Sequence, residues 1–389
     1  MGTTRWDYRH TVILLCTVAF FATMVARLVI SPVVPDIRAW FGVSTGAVGL
    51  ALSGMWAAYA LAQLPSGVLA DRLGERRVIL GAVAATGTAS LLLAMVPSYV
   101  AFLVLAIVLG GAAGMVYTAA TSLVTKSAAG TGRAIGAYIS GGPLAGLVAP
   151  PIAVAIGAQY DWRAAVALGA VAAIPALALF AWRVEPTPAA RPDLPVSESL
   201  EVARLHDVLR RPTIGTALVL AVLGAFTWQA TASFLPTFLE DYRGLSRSSA
   251  GLLFSAYFLV HGLSQPVTGT LSDVLTRSSA AGLTMGSGVI GYGLLVVGTS
   301  TWSAVVAVFF VGLAMSWGAP VQSMFMDALI DEERGTGFGL VRTIYMLLGA
   351  LGSVVIGAVA DLAGWDVAFG VLAGLMATAV LVAAIDRVR

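Results

Sequence analysis

The chain is predicted to be an all-α membrane protein of twelve transmembrane helices in two six-helix repeats. Extreme apolarity, the length of its apolar segments and an internal repeat point there. Of 389 residues, 58% are hydrophobic and only 11% charged, against roughly a quarter charged in an average soluble protein. The mean hydropathy is +0.90, so the solvent of most side chains is lipid. Cys16, the single cysteine, cannot close an internal disulfide, and a net charge of +2 offers no basic patch to nucleic acid.

A bilayer core about 30 Å thick asks for roughly 20 mostly apolar residues per helix. Segments of that kind run approximately from Thr11 to Val34, Ala47 to Leu69, Val78 to Val96, Tyr99 to Leu123, Ala134 to Ala158 and Ala164 to Trp182 in the first half. The second half repeats the count with Thr213 to Leu239, Ser249 to Leu271, Ala280 to Gly298, Trp302 to Ala328, Thr336 to Ala360 and Val367 to Ile385. The first segment follows Arg5 and Arg9 as a signal peptide would. Its apolar run is too long for an h-region and no small-residue cleavage site follows, so it reads as a retained helix. Barrel strands are excluded, because the runs lack alternation and exceed strand length.

Sidedness follows from the cations, since cytoplasmic loops retain Lys and Arg during insertion. With the N-terminus inside, 16 of the 22 fall on the cytoplasmic side, including Arg72, Arg76, Arg77, Lys126, Arg133, Arg191, Arg204, Arg210, Arg277, Arg334 and Arg389. Arg38, Arg163, Arg243 and Arg247 fall outside, and Arg27 and Arg342 lie within spans. Both termini are therefore expected in the cytoplasm.

The longest polar stretch, from Arg183 to Pro212, carries four prolines and then Leu200 to Leu209, a segment able to lie as an amphipathic helix on the membrane. It divides the chain into a bundle over 1–182, a cytoplasmic linker over 183–212 and a second bundle over 213–389. An offset of 202 aligns Gly42 with Gly244, Ser44 with Ser246, Gly49 with Gly251, Ser53 with Ser255, Gln63 with Gln265, Gly67 with Gly269 and Asp71 with Asp273. An offset of 203 aligns Gly136 with Gly339 and Trp162 with Trp365. Parallel repeats with a polar site between them suit a secondary transporter that rocks two rigid bodies about a fixed site.

After the second span the chain reads GVLADRLGERR, Gly67 to Arg77, and after the eighth GTLSDVLTR, Gly269 to Arg277. Small residues at a span end allow close helix approach, an Asp there can face a helix N-terminus, and the arginines hold the loop inside. This run, its second copy, the twelve spans and the central linker together resemble the major facilitator superfamily, over essentially the whole chain. The resemblance implies a conformational latch formed by Gly67, Asp71, Arg72, Gly74, Arg76 and Arg77, with Gly269, Asp273 and Arg277 as its second copy, and no substrate contact for them. The first 80 residues are most similar to anion:cation symporters, through Arg27, SPVVPDI and the stretch from Leu52 to Arg77, although Ala26 stands where that group usually has Asp.

An ionised side chain at mid-bilayer costs at least about 2.5–3.5 kcal/mol on insertion scales. Arg27 sits about 12 Å below the outer end of its helix, and Asp36, nine residues on, is too far along the axis to neutralise it. Its planar fork fits a carboxylate or another oxyanion. Arg342 lies some seven residues into span eleven; its alternative to substrate is a pair with Asp327. Gln229 and Trp228 occupy the repeat position of Arg27, and Tyr117, Tyr138, Tyr257, Gln322 and Tyr345 are further polar candidates for a substrate site. His261, the repeat equivalent of Tyr59, is the candidate for proton coupling.

Positive charge without a carboxylate in the predicted cavity favours a small organic or inorganic anion as cargo, driven by an ion gradient or by exchange. The alternative is a proton-coupled exporter of hydrophobic drugs, which gains if Asp327 or Asp361 faces the cavity. A membrane-embedded enzyme is disfavoured, because the sequence has no metal-ligand cluster, no nucleophile beside a base and no P-loop. A membrane sensor is disfavoured too, since neither terminus carries a soluble domain. No cofactor is expected, the partners are the cargo and the lipid, and the working unit is expected to be a monomer.

Overall fold

The computed structural model describes residues 7–127, 131–189, 211–329 and 334–388. The surface helix expected over Leu200 to Leu209, most of the linker, and the expected cytoplasmic cations Arg5, Arg191, Arg204, Arg210 and Arg389 lie outside the described residues. Every regular element described is helical.

The first six passages are α1 (Tyr8–Leu28) continued by α2 (Val34–Phe41), α3 (Thr45–Leu73), α4 (Glu75–Leu93), α5 (Tyr99–Ser127), α6 (Thr131–Ile139) continued by α7 (Gly141–Gln159), and α8 (Trp162–Arg183). The last six are α9 (Pro212–Asp241), α10 (Arg247–Val274), α11 (Arg277–Val297), α12 (Thr301–Ala314) continued by α13 (Gly318–Ala328), α14 (Arg334–Ala363) and α15 (Trp365–Val388). Eleven of these passages are long and apolar enough to cross a membrane. α10 has the length, 28 residues, but carries His261, Gln265, Asp273 and several serines.

Three passages expected as single helices are interrupted. The first bends through a 3₁₀ turn at Ser31–Val33, where Pro32 and Pro35 cannot donate the backbone hydrogen bonds that would continue α1. The fifth breaks at Ser140, beside Gly141, whose Cβ position would press on the Thr17 carbonyl of α1 at 2.6 Å. The tenth passes through a 3₁₀ turn at Met315–Trp317.

Residues matched at the 202 offset adopt matching local structure. Gly42 and Gly244 both take left-handed φ, 62° and 63°, which only glycine adopts without strain. Two residues on, Ser44 and Ser246 each cap the next helix by accepting a backbone N–H, from Ala47 and Ser249.

The termini and the linker share one end of the bundle: the Glu185 N–H donates to the Tyr8 hydroxyl at 2.8 Å, and Ser278 at the start of α11 bonds Asp386 near the end of α15. At the opposite, distal end the two sets of passages are tied together. Arg247 forks onto Asp36 with two bonds of 2.8 Å, and Arg38 pairs with Asp241 at 3.1 Å. Asp361 of α14 accepts the N–H groups of Thr45 and Gly46 at 3.0 and 2.6 Å, so a carboxylate meets the positive end of α3. Below this layer, Ser31 Oγ donates to the Ser233 carbonyl at 2.9 Å and the Val354 N–H donates to Ser53 Oγ at 2.8 Å.

Candidate functional site

Where the distal seam ends, near mid-passage, two guanidinium groups approach one cluster of rings. Arg27 lies in the last turn of α1 and is 2% exposed. Its Nε donates to the Thr23 carbonyl at 3.1 Å and its Nη2 to Met24 Sδ at 2.9 Å. The guanidinium carbon stands 4.1 Å from the centre of the Tyr59 ring and 5.0 Å from that of Trp56, both on α3. A desolvated cation–π contact is worth about 2 kcal/mol or more. Two such contacts offset a cost of about 2.5–3.5 kcal/mol for a mid-bilayer charge, so Arg27 is held without an acid. Its charge stays whole: no carboxylate pairs with it among the described residues, and thioether sulfur is a weak acceptor.

Arg342, on α14, is placed the same way. Its Nε donates to Gln63 Oε1 at 3.1 Å, and its guanidinium covers the Tyr117 ring at 4.1 Å. The expected alternative of an Asp327–Arg342 pair does not form. Asp327 instead accepts from Arg277 Nε at 3.1 Å, while Arg342 is turned to Gln63 and the Tyr117 ring. Asp361 is occupied as the cap of α3 described above. Neither acid therefore meets the ring cluster.

Around the two cations the rings interlock. Tyr117 and Tyr138 lie 6.1 Å apart, Phe20 edges both, and the Tyr138 hydroxyl donates to the Tyr117 carbonyl at 3.2 Å. Trp228 of α9 meets Trp56 edge to face at 5.2 Å. Gln229 Nε2 donates to the Met346 carbonyl at 3.1 Å, while its Oε1 and the Trp56 Nε1 are buried with no partner. Tyr345, one turn after Arg342, is buried beside Trp317 and Phe325.

The other expected site residues fall elsewhere. Tyr257 is buried with its hydroxyl unpaired, and its ring neighbours are Phe254, Phe258 and His261. His261 Nε2 meets Gln265 Nε2 at 2.9 Å and its Nδ1 has no partner. Gln322 is exposed on α13 and makes no side-chain hydrogen bond. Among the described residues no ring contact joins Tyr257 or His261 to either arginine.

The loop motif and its copy stay within their own sets of passages. Arg76 donates to the carbonyls of Val184 and Ala181 at 2.7 and 2.6 Å, and its backbone N–H donates to Thr187 Oγ1, tying the start of α4 to the exit of α8. Gly74, at φ 86°, turns the chain against Thr187. Arg277 pairs with Asp273 at 2.6 Å as well as with Asp327. Among the described residues, no hydrogen bond or ion pair crosses between the two sets of passages at the end that carries this motif.

Sequence reasoning passed over Trp56, Tyr59 and Gln63 as site residues. Their signal was present: they recur at i, i+3 and i+7, one face of α3. It was also present for the distal ties, where Asp36, Arg38, Asp241 and Arg247 fall at the repeat-related distal ends of the first and seventh passages and the start of the eighth.

Comparison with known proteins agrees with this architecture. The family model described as Major Facilitator Superfamily matches residues 15–249 and 217–388. The probable sulfoacetate transporter SauU of Cupriavidus necator is 26% identical over 97% of this chain and 93% of its own. The membrane sensor protein UhpC of Escherichia coli is 30% identical over 48% of this chain and 42% of its own. Among solved structures, the nucleoside transporter NupG superposes with a TM-score of 0.83 at 14% identity, over 97% of this chain and 99% of its own.

Proposed function

The chain belongs to the major facilitator superfamily, and from that premise we propose that it moves a small organic or inorganic anion across the cytoplasmic membrane by alternating access. The observation that carries the anion reading is a pair of intramembrane arginines, Arg27 and Arg342, bordered by rings and amides and by no carboxylate among the described residues. A cation seeking that site would meet two like charges in a medium that screens them poorly. Sulfoacetate, named for the relative matched over nearly the whole chain, is an anion. The exporter reading loses the two acids on which it depended, Asp327 and Asp361, to other partners.

The excess of cations at the end carrying the termini supports placing that end in the cytoplasm. In that orientation the distal ties seal the outer side, the cargo site opens inward, and the loop motif is a latch that closes in the opposite state. Trp228, Gln229, Tyr117, Tyr138 and Tyr345 line the proposed site with the two arginines; Tyr257, Gln322 and His261 serve from outside its ring cluster.

Uptake of labelled anions into proteoliposomes tests the reading. Arg27→Gln, which keeps a polar side chain and removes the charge and the fork, is expected to lower anion uptake by at least about a hundredfold, the effect of losing a charge-assisted bidentate contact. Arg27→Lys restores little, since an ammonium lacks the fork. Normal uptake by a folded Arg27→Gln protein overturns the assignment, and absence of flux for every anion returns the sensor reading suggested by UhpC.

A further inference from the structure

We propose that the cargo carries two anionic groups, one taken by Arg27 and the other by Arg342; this rests on the anion reading above and narrows it. The two guanidiniums come from opposite sides of the linker yet both border α3. Arg27 stands over the Tyr59 ring, and Arg342 reaches Gln63. Tyr59 and Gln63 are successive turns of one face of α3, joined by the Gln63 Nε2 bond to the Tyr59 carbonyl at 3.4 Å. The α3 residues that meet the two guanidiniums are thus about one helical turn apart, roughly 6 Å along that helix.

A lone carboxylate cannot meet two forks so placed and keep a bidentate grip on either. A short acid with a negative group at each end can. The partners each fork holds now are neutral: the Thr23 carbonyl and Met24 thioether for Arg27, and the Gln63 amide for Arg342. Each can yield to an oxyanion. Access differs as well, since Arg27 is sealed to 2% exposure whereas Arg342 is only partly buried. One anionic end therefore meets Arg342 first while the other travels on to Arg27. A dianion neutralises both guanidiniums, and a monoanion leaves one positive charge uncompensated in the low-dielectric interior.

The test uses the purified full-length chain with unbranched dicarboxylates from oxalate to adipate, each paired with its monoanionic half-amide and its uncharged diamide. Binding is read by thermal protection and by competition. At least one dicarboxylate is expected to bind about tenfold or more tightly than its half-amide, as loss of one charge-assisted contact predicts. Arg342→Gln is expected to bring that dicarboxylate and its half-amide to within about twofold of each other. Equal affinity of dicarboxylates and half-amides in the unmodified protein overturns the two-group cargo and leaves the anion reading standing. So does protection by none of the dicarboxylates, or an Arg342→Gln protein that keeps the preference. Protection by diamides alone overturns both readings. The comparison on the unmodified protein decides the matter even where the variant fails to fold.

Discussion

Arg27 and His261 show how differently a polar side chain can be accommodated inside a bundle. Arg27 keeps its charge because two electron-rich ring faces replace part of its hydration. His261 has one amide neighbour, Gln265, and a second ring nitrogen with no partner. We propose that this nitrogen takes up a proton during transport. His261→Ala is therefore expected to abolish stimulation of uptake by an imposed pH gradient while leaving exchange of cargo for cargo within about twofold of normal, as measured side by side in the same vesicles. Arg27 was legible from sequence because the cost of a charge in lipid belongs to the residue itself. Its ring partners were not, since α3 had to be turned toward α1 before Trp56 and Tyr59 became neighbours of a cation.

Glycines govern how closely the elements approach. A Cβ on Gly49 of α3 would meet the Ser353 carbonyl of α14 at 2.5 Å, and one on its repeat mate Gly251 of α10 would meet the Val154 side chain of α7 at 2.8 Å. The same repeat position thus supplies one close contact across the seam from each set of passages. Overpacking such a contact costs about 1–3 kcal/mol, enough to shift an equilibrium between sealed and open states by roughly fivefold to somewhat over a hundredfold. Gly49→Leu is expected to open the distal seam. A cysteine placed at Ser233 should then react with an impermeant maleimide faster by that order, over the low background of the buried Cys16. Gly374→Leu, at a position with open space, should leave the rate unchanged. The repeat pairing of Gly49 and Gly251 was readable from sequence; the surfaces they meet were not, because helix order around the bundle is not written in hydropathy.

The bonds between the two sets of passages are distributed unevenly between the two ends of the molecule. Distal ties join the two sets of passages through Asp36–Arg247, Arg38–Asp241 and the Asp361 cap, while the motif at the opposite end bonds only within its own set. The Asp36 and Arg247 side chains are 29% and 27% exposed, so solvent screens the pair and its worth is about 1 kcal/mol or less. Asp36→Asn or Arg247→Gln should accordingly raise distal labelling by up to about fivefold. Raised salt should mimic part of the effect, and the exchanged pair Asp36→Arg with Arg247→Asp should restore the sealed rate. Labelling indifferent to all three changes would remove this pair from the seal.

Sequence alone determined the number and places of the passages, the internal repeat and the presence of two charges inside them. Transfer of a side chain into lipid depends on that side chain and its near neighbours in the chain, so a linear reading suffices. Only the tertiary structure decided that Asp327 answers Arg277 and not Arg342, that Asp361 caps α3, that three passages break, and that the ion pairs between the two sets lie at the distal end. Those outcomes depend on which helices stand side by side and how one bundle leans on the other, and any such arrangement leaves the apolar pattern of the sequence the same.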